Sequence, residues 1–300
     1  MIINGETIAK VSRGFRAIYN EGAAAYTPEW PTVAMEVTST TAAEEYAWLG
    51  NWPRMREWLG DRVLTQLKAH GFTIRNRDFE ATVTVPRNAI EDDRIGLFSP
   101  MMRELGTSAA QHPDELVFDL LAAGWTRSCY DGQPFFDEDH PVIVDGTEIS
   151  VSNVLRGSAG NTGPAWYLVA AGGAMRPIIY QRRRPYQFVA KADSQSSDHV
   201  FMRAEYVYGV DGRGSAGFGL WQLCFGSNAP LTRENFEALY ARMRAQKGDN
   251  GRALNIRPTH LIVPPALRGT AATLIKAETI DGTTNTNRDV VQVVDSAWLS

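Results

Sequence analysis

Residues 72–86 read FTIRNRDFEATVTVP, and this stretch decides how the fold is interpreted. Apolar and polar side chains alternate along its second half: Phe79, Ala81, Val83 and Val85 fall on one face, and Glu80, Thr82 and Thr84 on the other. A period of two predicts a β-strand with one apolar face. The preceding Phe-Thr-Ile and the turn-forming Arg-Asn-Arg-Asp indicate a β-hairpin. Because an isolated two-stranded ribbon is marginal in water, either a distant part of this chain or another chain must cover the apolar face.

The segment before this ribbon begins with an amphipathic helix. From Thr7 to about Gly22, apolar residues follow a three-then-four spacing that gives one narrow stripe: Ile8, Val11, Phe15 and Ile18. The next residues, AAAYTPEWP at 23–31, include two prolines and cannot continue the helix. Two interpretations remain open: an arm that lies on another molecule, or an N-terminal helix that docks on its own domain.

The composition excludes several classes of protein. Of the 300 residues, 44% are hydrophobic and 21% are charged, which is typical of a globular chain rather than a disordered one. No run approaches the roughly 20 apolar residues of a membrane-spanning helix, and the first residues do not resemble a secretory signal. The net charge of −4 argues against long-range attraction to nucleic acid. Cys129 and Cys224 are far apart in sequence, so neither a zinc cluster nor a disulfide framework is expected.

A long helical pattern follows the ribbon. Asn88 and Glu91 form a capping pattern, and the helical spacing continues to about Gly124. The residues expected to face inward are Ile90, Leu97, Met101, Leu105, Leu116, Leu120 and Leu121. Ser99-Pro100 and His112-Pro113 each predict a break or kink in this helix.

A β-rich region comes next, and the C-terminal part predicts an α/β layer. The expected strands are Trp166–Ala170, Ile178–Gln181, Tyr186–Lys191, Val200–Tyr208 and Gly219–Phe225. The glycine-rich residues 209–217 are interpreted as the connection between the last two of these strands. The remaining pattern is a helix at Thr232–Gln246, a strand at Thr259–Val263, a helix at Pro265–Ala277 and a final strand at Val290–Val294.

The densest cluster of chemically active side chains is Asp137-Glu138-Asp139-His140. Neighbours on an extended chain point alternately apart, so a solvated turn is favoured there over a metal site. The sequence contains no HExxH, P-loop or GxSxG motif, and nothing local places a histidine beside Cys129. No catalytic, cofactor-binding or metal-binding residue is therefore predicted. The alternative is a metal-dependent or other soluble hydrolase that uses Asp137, Asp139 and His140.

One basic run stands out, at Arg182-Arg183-Arg184, between two predicted strands. Arginine's planar guanidinium suits contact with phosphates or with the carboxylates of a neighbouring subunit. Three charges at a strand end also occur as ordinary solvated surface. A subunit contact, bare surface and a nucleic-acid contact all remain open.

Several short motifs, taken in order, are shared with a known family. They are YAWLG at 46–50, VPR at 85–87 followed by EDD at 91–93, PDELV at 113–117, YDGQPFF at 130–136 with DHP at 139–141, YGVDGR at 208–213, and LIVPP at 261–265. In this order they resemble the major head subunit family of Mu-like transposable phages, the gene T capsid proteins, from about Ala42 to Val294. The resemblance implies an α+β chain with the Hong Kong-type fold of tailed-phage capsid proteins.

This fold implies four parts. They are an N-terminal arm (residues 1–45), an extension-loop β-hairpin region (46–86), the spine helix of a peripheral domain (87–126), and an axial α/β domain with the remaining peripheral sheet (127–300). In better-known members a helix–strand–helix unit comes early in the axial domain. In this sequence that pattern lies near the C-terminus, at 232–277.

The resemblance also implies a function without catalysis. The chain is expected to self-assemble into the pentamers and hexamers of an icosahedral head that encloses double-stranded DNA. Expected partners are other copies of itself, a separate scaffold or protease, a portal and a decoration protein. DNA contact is expected to be non-specific only, and no membrane contact is expected. The protein is expected in the virion, after assembly in the host cytoplasm.

Contacts between subunits are expected at the apolar stripe, the ribbon and the basic run. The residues are Ile8, Val11, Phe15, Ile18, Phe72, Ile74, Phe79, Val83, Arg182, Arg183 and Arg184. Some relatives form an isopeptide bond from a lysine of the extension hairpin. Lys68 is the only lysine in that region of this sequence, and an ordinary surface or interface role is expected for it.

Overall fold

Two β-sheets and one long helix organise the fold. The computed structural model describes residues 4–49, 71–144, 147–192, 198–248, 251–280 and 282–299. The helices are α1 (Gly5–Ala25), α2 (Arg87–Glu91), α3 (Ser99–Ala122), α4 (Asp198–Arg203), α5 (Arg233–Arg244) and α6 (Arg268–Lys276). The strands are β1 (Ala34–Thr38), β2 (Ala43–Glu45), β3 (Thr73–Arg75), β4 (Arg77–Pro86), β5 (His140–Val144), β6 (Thr147–Val151), β7 (Val154–Leu155), β8 (Trp166–Val169), β9 (Ile178–Lys191), β10 (Glu205–Phe218), β11 (Cys224–Ser227), β12 (His260–Val263), β13 (Thr279–Ile280), β14 (Thr283–Thr284) and β15 (Gln292–Asp295). Within these ranges, no helix has both the length and the apolar character needed to cross a membrane.

The two main sheets differ in their strand pairing. The four-stranded sheet has the order β1-β9-β10-β4, with β1 parallel to β9 and β10 antiparallel to both β9 and β4. Its central strands β9 and β10 are each 14 residues long. The five-stranded sheet has the order β15-β12-β8-β11-β7, with parallel pairs at both edges and antiparallel pairs in the centre.

Helix α3 connects the two sheets because its two halves pack on different layers. Met102 and Leu105, in its first half, lie in one core with α1, β9 and β10. Val117 and Phe118, in its second half, lie in a second core with β8 of the five-stranded sheet. The C-terminal turn Ala297–Leu299 also packs against α3.

Helices α5 and α6 cover the other face of the five-stranded sheet. Phe236 and Leu239 of α5 and Leu274 of α6 share one core with Trp166 of β8 and Leu261 of β12. These apolar positions recur at helical spacing on α5 and α6. The helix–strand–helix layer predicted at 232–277 is therefore confirmed.

The glycine-rich residues 209–217 form the middle of β10, so their interpretation as a connection is wrong. Glycine is common in turns, but it is needed here for a different reason. A Cβ at Gly212 would lie 2.5 Å from the ring of Tyr186, and one at Gly217 would overlap the side chain of Ile74. The glycines therefore let neighbouring side chains approach the strand backbone closely.

The predicted long helix is present, with differences around its prolines. Pro100 lies in the first turn of α3, where its missing N–H costs no helical hydrogen bond, so the helix starts there as predicted. Pro113 lies inside α3, which continues through it, so the second predicted break is wrong. Packing on both layers outweighs the one hydrogen bond that Pro113 removes.

Two residues predicted to face inward are exposed instead. The exposed fraction is 72% for Leu97 and 52% for Met101. A 3-10 turn at Ile95–Phe98 separates α2 from α3 and interrupts the helical spacing assumed from Ile90 onwards. The prediction continued the helical spacing across this turn, and it therefore placed Leu97 and Met101 on the buried face although they are exposed.

The β-rich region also differs in its boundaries. One continuous strand, β9, replaces the two strands predicted at 178–181 and 186–191. Helix α4 occupies Asp198–Arg203, so the strand predicted from Val200 begins only at Glu205. The strand predicted from Gly219 begins at Cys224, after a 3-10 turn.

Candidate assembly surfaces

Helix α1 docks on its own chain rather than lying free as an arm. Ile8, Val11 and Phe15 are 4%, 8% and 1% exposed, and they lie in the core formed by α3, β9 and β10. The ring of Phe15 meets that of Tyr208 edge to face, with centroids 5.0 Å apart. The chain itself buries most of these three side chains, although Val11 and Phe15 also line an open groove beside Ile18, so their subunit contacts stay a prediction. Ile18 is only half-buried, and its subunit contact stays a prediction.

The helices α1 and α3 meet at two glycines. A Cβ at Gly22 would overlap the main-chain oxygen of Arg103, and a Cβ at Gly106 would overlap that of Tyr19. The two backbones therefore touch where these glycines face each other. This close approach lets the apolar stripe of α1 pack against the core that α3, β9 and β10 of the same chain form.

The apolar face of β4 is also covered within the chain. Val85 is fully buried, and Ala81 and Val83 are half-buried against the core that contains α1 and α3. The ring of Phe79 packs on that of His112 in α3, with centroids 4.3 Å apart. The partner of β4 is β10 rather than the residues just before it. Subunit contacts at Phe79 and Val83 are therefore restricted to the half of each side chain left exposed.

The residues just before β4 form a separate short ribbon. Strand β3 pairs antiparallel with β2, so a two-stranded ribbon is present, but with a different partner from the one predicted. Ile74 is 4% exposed and lies in the core with α5 and α6, so little of its surface is left for the subunit contact, which stays a prediction. Phe72 is half-buried. Lys68 lies outside the described residues.

A buried amide anchors this ribbon to the four-stranded sheet. Gln181 of β9 is 0% exposed. Its Nε2 donates to Oδ1 of Asn76 at 2.8 Å and to the carbonyl oxygen of Ile74 at 3.2 Å, and its Oε1 accepts from the Tyr46 hydroxyl at 2.8 Å. Both ends of the 46–72 segment are thus tied to one side chain of the sheet.

A carboxylate closes the loop beside this anchor. Oε1 of Glu44 accepts hydrogen bonds from the backbone N–H groups of Thr40 and Thr41, at 2.8 and 3.0 Å, and from the Ser39 hydroxyl at 2.9 Å. The Thr40 N–H, the Ser39 hydroxyl and the Thr41 N–H, in that order, lower the pKa of Glu44 from 4.5 to about 2. The ionised carboxylate therefore holds residues 39–44 in place.

We expect Glu44→Gln to destabilise the fold at neutral pH and to have no effect near pH 2. A folded-state pKa below the unfolded one stabilises the fold above pH 4.5, and this contribution is lost as the pH falls towards 2. Urea unfolding of the unchanged chain and the variant, at pH values from 2 to 7, measures the difference. Glu45→Gln, which changes the exposed neighbour, is the control. A difference that is independent of pH would contradict the expectation.

The basic run takes part in a ladder of ion pairs across the four-stranded sheet. The pairs are Arg182 with Glu36 of β1 at 2.6 Å, Arg184 with Asp211 of β10 at 2.5 Å, and Arg213 of β10 with Asp78 of β4 at 3.5 Å. The third arginine of the run, Arg183, donates to the carbonyl oxygen of Ser39 at 3.3 Å. Two of the three charges are thus paired within the chain, which leaves Arg183 as the best placed of them for a phosphate or a partner.

The acidic cluster does not converge into a catalytic or metal site. The backbone N–H of Asp137 donates to the Asn153 side chain, Glu138 pairs with Arg156, and Asp139 is exposed. His140 is fully buried, and its Nδ1 lies within hydrogen-bond distance of Asp131, which is not one of these three residues. The hydrolase alternative at Asp137, Asp139 and His140 is therefore not supported by the geometry.

His140 instead joins a buried group that sequence spacing did not indicate. Its Nδ1 lies 2.8 Å from Oδ2 of Asp131, whose Oδ1 accepts from the Cys129 thiol at 3.0 Å. The imidazole stacks on Trp221 with centroids 4.1 Å apart. Burial and the Asp131 carboxylate raise the pKa of the Cys129 thiol, so it stays protonated and is a poor nucleophile. Burial favours the neutral Asp131, but the hydrogen bonds from His140 and Cys129 outweigh it and lower the Asp131 pKa.

The exposed apolar residues are the surface feature that sequence periodicity missed. Leu97 lies in the 3-10 turn Ile95–Phe98, and Met101 lies in the first turn of α3 that follows it. Ile95 lines an apolar groove with Val11 and Ile18 of α1. An apolar patch of this kind marks a contact surface for another protein. The only sequence signal for it was the Ser99-Pro100 helix start just beyond Leu97.

The whole chain matches one family of proteins. The model of the family described as "Mu-like prophage major head subunit gpT" matches residues 8–299. The Mu-like prophage FluMu major head subunit of Haemophilus influenzae is 43% identical over 269 residues, 88% of this chain and 87% of that protein. The major capsid protein of Escherichia phage Mu is 38% identical over an alignment that covers 100% of both chains.

Solved structures give the same result for the fold. A subunit from the procapsid of bacteriophage JBD30 superimposes with a TM-score of 0.89 at 42% identity, over 99% of this chain and 100% of that one. A subunit of the JBD30 capsid gives a TM-score of 0.79 at 34% identity, over 100% of both chains. The likeness therefore covers the sheets, the helices and their arrangement together.

Proposed function

Because this chain belongs to the Mu-like prophage major head subunit family and is a major capsid protein of a tailed phage, we propose that its copies close into the pentamers and hexamers of an icosahedral head around double-stranded DNA. The observation that carries this proposal is the family match over residues 8–299, together with the superposition on a procapsid subunit at a TM-score of 0.89. The α+β fold is that of tailed-phage capsid proteins, and the protein is a component of the virion.

The parts of the subunit are assigned as follows. The four-stranded sheet with α1 and α3 forms the peripheral domain, and α3 is its spine helix. The five-stranded sheet with α5 and α6 forms the axial domain. Residues 46–86 are assigned to the extension-loop region, and its last strand, β4, joins the four-stranded sheet. Residues 1–45 contribute to the peripheral domain through α1. Because α1 packs on that domain, a smaller part of this segment acts as a free arm.

Assembly joins subunits that are already folded. The sequence suggested that the apolar ribbon and the N-terminal segment find cover only on adjacent copies, but α1 and β4 are covered within the chain. Contacts that close into rings then depend on surface patches of complementary shape. Leu97 in the 3-10 turn before α3 and Met101 of α3, with the half-buried Ile18 and Phe79, supply exposed apolar surface for such contacts.

This subunit is expected to bind the packaged DNA only weakly. The net charge is −4, whereas phosphate binding needs a basic patch. The ion pairs of Arg182, Arg184 and Arg213 reduce the positive charge that the basic run offers. These features support non-specific contact only.

Other phage proteins complete the head. A solved JBD30 capsid is "decorated with minor capsid protein trimers", and its subunit matches 93% of this chain with a TM-score of 0.75. This supports a decoration protein as a partner here. A portal and a separate scaffold or protease follow from membership of a head-protein family, with assembly in the host cytoplasm. The role is structural, and the buried, protonated Cys129 supports the absence of catalysis.

Assembly of the purified protein tests this function. We expect closed shells in negative-stain images and a fast-sedimenting species in analytical ultracentrifugation, both dependent on protein concentration. Asp139→Ala changes an exposed residue of the alternative hydrolase site and is expected to assemble as well as the unchanged chain. A protein that remains a small oligomer at every concentration, or that forms only open tubes or flat layers, would contradict the proposal.

A further inference from the structure

Strand β4 is a long sheet edge with an open side. Its ten residues, Arg77–Pro86, pair with β10 in an unbroken register from Gly214 to Glu205. Among the residues that the structure describes, no strand pairs with the opposite side of β4. The other edges of the two main sheets, β1, β15 and β7, are five, four and two residues long. The open side of β4 is therefore the longest strand edge among them.

This edge lacks the devices that normally prevent strand addition. Proteins protect sheet edges with bulges, interior prolines, lysines or very short strands. The pairing of β4 with β10 has no bulge, its one proline is the last residue, Pro86, and it contains no lysine. Its charged residues, Arg77, Asp78 and Glu80, lie in its first four positions. The remaining six, ATVTVP, are neutral and rich in β-branched side chains.

We propose that the open edge of β4 pairs antiparallel with β4 of a second copy of this chain. The inference rests on the proposed function, because a shell brings copies of one chain side by side. Among the free edges of the main sheets within the described residues, a second β4 matches this length best: in a pair centred on Thr82, Asp78–Pro86 of both copies face each other. A self-pairing edge also forms an isologous contact, which places a twofold axis between the two subunits.

The distribution of charge selects the antiparallel arrangement. In a parallel pair, Asp78 and Glu80 would each face the same residue of the partner strand, and like charges opposite one another are destabilising. In an antiparallel pair centred on Thr82, Glu80 faces Thr84 of the partner subunit, and the acidic ends lie apart. Alternate N–H and C=O groups that point away from β10 then gain partners across the new pair.

Hydrogen–deuterium exchange on the full chain tests the pairing. We expect roughly half of the amides of Arg77–Pro86, those that point away from β10, to exchange at least about tenfold more slowly in shells than in dissociated subunits. Shells are assembled from this chain alone, so that any protection comes from a second copy. Equal rates in both states, protection already complete in the dissociated subunit, or protection that requires another phage protein would each overturn the proposal.

A pair of substitutions in β4 provides a second test of the pairing. Thr82 and Thr84 are exposed, so Thr82→Lys with Thr84→Lys should leave the folded subunit unchanged while opposing the approach of a second edge. We expect at least tenfold less shell at equal protein concentration. Thr147→Lys, on the exposed strand β6, is the control for added charge. Equal assembly of the two variants would overturn the pairing.

The outcomes separate this pairing from the proposed function. Shells with an unprotected β4 would overturn the edge pairing and leave the function standing. A chain that forms no shells in any variant would overturn the function, and the pairing with it.

Discussion

Gly22→Ala is expected to lower the free energy of unfolding by about 3 kcal/mol and to loosen α1 from α3. The added methyl group would overlap the main-chain oxygen of Arg103, which cannot rotate away as a side chain can. The two helices must separate, and this uncovers the stripe of Ile8, Val11 and Phe15, whose burial stabilises the fold by about 1.5–3 kcal/mol for each large side chain. The effect is therefore large for the addition of one methyl group.

Gly14→Ala on the same helix is the matched control and should act in the opposite direction. Its Cβ meets nothing within 4 Å, so replacing glycine inside a helix stabilises it by about 0.5–1 kcal/mol. Urea unfolding measures both changes, and limited trypsin cleavage at the exposed Arg13 and Arg16 reports whether α1 has loosened. If both alanine variants change stability in the same direction, the close crossing of α1 and α3 is contradicted.

Asp114→Ala is expected to cost about 3–5 kcal/mol, because the carboxylate organises the connection between α1 and β1. Asp114 is 0% exposed on α3. It accepts hydrogen bonds from the Tyr26 hydroxyl at 2.5 Å, from the Trp30 N–H at 2.6 Å and from the Glu29 N–H at 3.1 Å. Alanine leaves these three half-buried donors without their acceptor, which costs more than the hydrogen bonds themselves contribute.

The neighbouring residue provides the control for Asp114. Glu115 is exposed on the same turn of α3, and Glu115→Ala should change the free energy of unfolding by less than about 0.5 kcal/mol. Denaturant midpoints of the two variants give the comparison, and a fall in tryptophan fluorescence anisotropy would report a loosened Trp30. Equal midpoints would show that the connection is held by other contacts.

Elements with strong local signals could be predicted from the sequence. The stripe of α1, the period-two pattern of β4 and the apolar spacing of α5 and α6 each identified the correct type of element. Periodicity shows which face of an element is apolar but not what covers that face. The partner of β4 lies more than 100 residues later, in β10, and no feature near residue 80 indicates it.

The errors share a physical origin in contacts between distant residues. The glycines of β10 were interpreted as a loop because glycine is frequent in turns. In the structure, the side chains of Tyr186 and Ile74 lie so close to the β10 backbone that no Cβ fits at Gly212 and Gly217. The ion pairs of the basic run were not predicted, because Glu36 and Asp211 come from other strands. The surface at Leu97 was assigned inward because a short 3-10 turn changes the helical phase.

The family resemblance predicted the function correctly, although one physical argument for it was wrong. The apolar stripe of α1 and the alternating strand β4 suggested a molecule that is incomplete alone, and the structure shows that it covers both. The resemblance depended on the order of short motifs along the chain, which does not require knowing where each side chain packs. The contact residues did require it, and the sequence did not show that this chain itself covers most of Ile8, Val11, Phe15 and Ile74.

The packing of α1 and of the turn Ala297–Leu299 against α3 has a mechanical consequence. Helix α1 lies on one half of α3, and the turn lies on the same helix. A force that pulls on either element is therefore transmitted directly to the long helix between the two sheets. We expect either element to separate under load only when its contacts with this helix break.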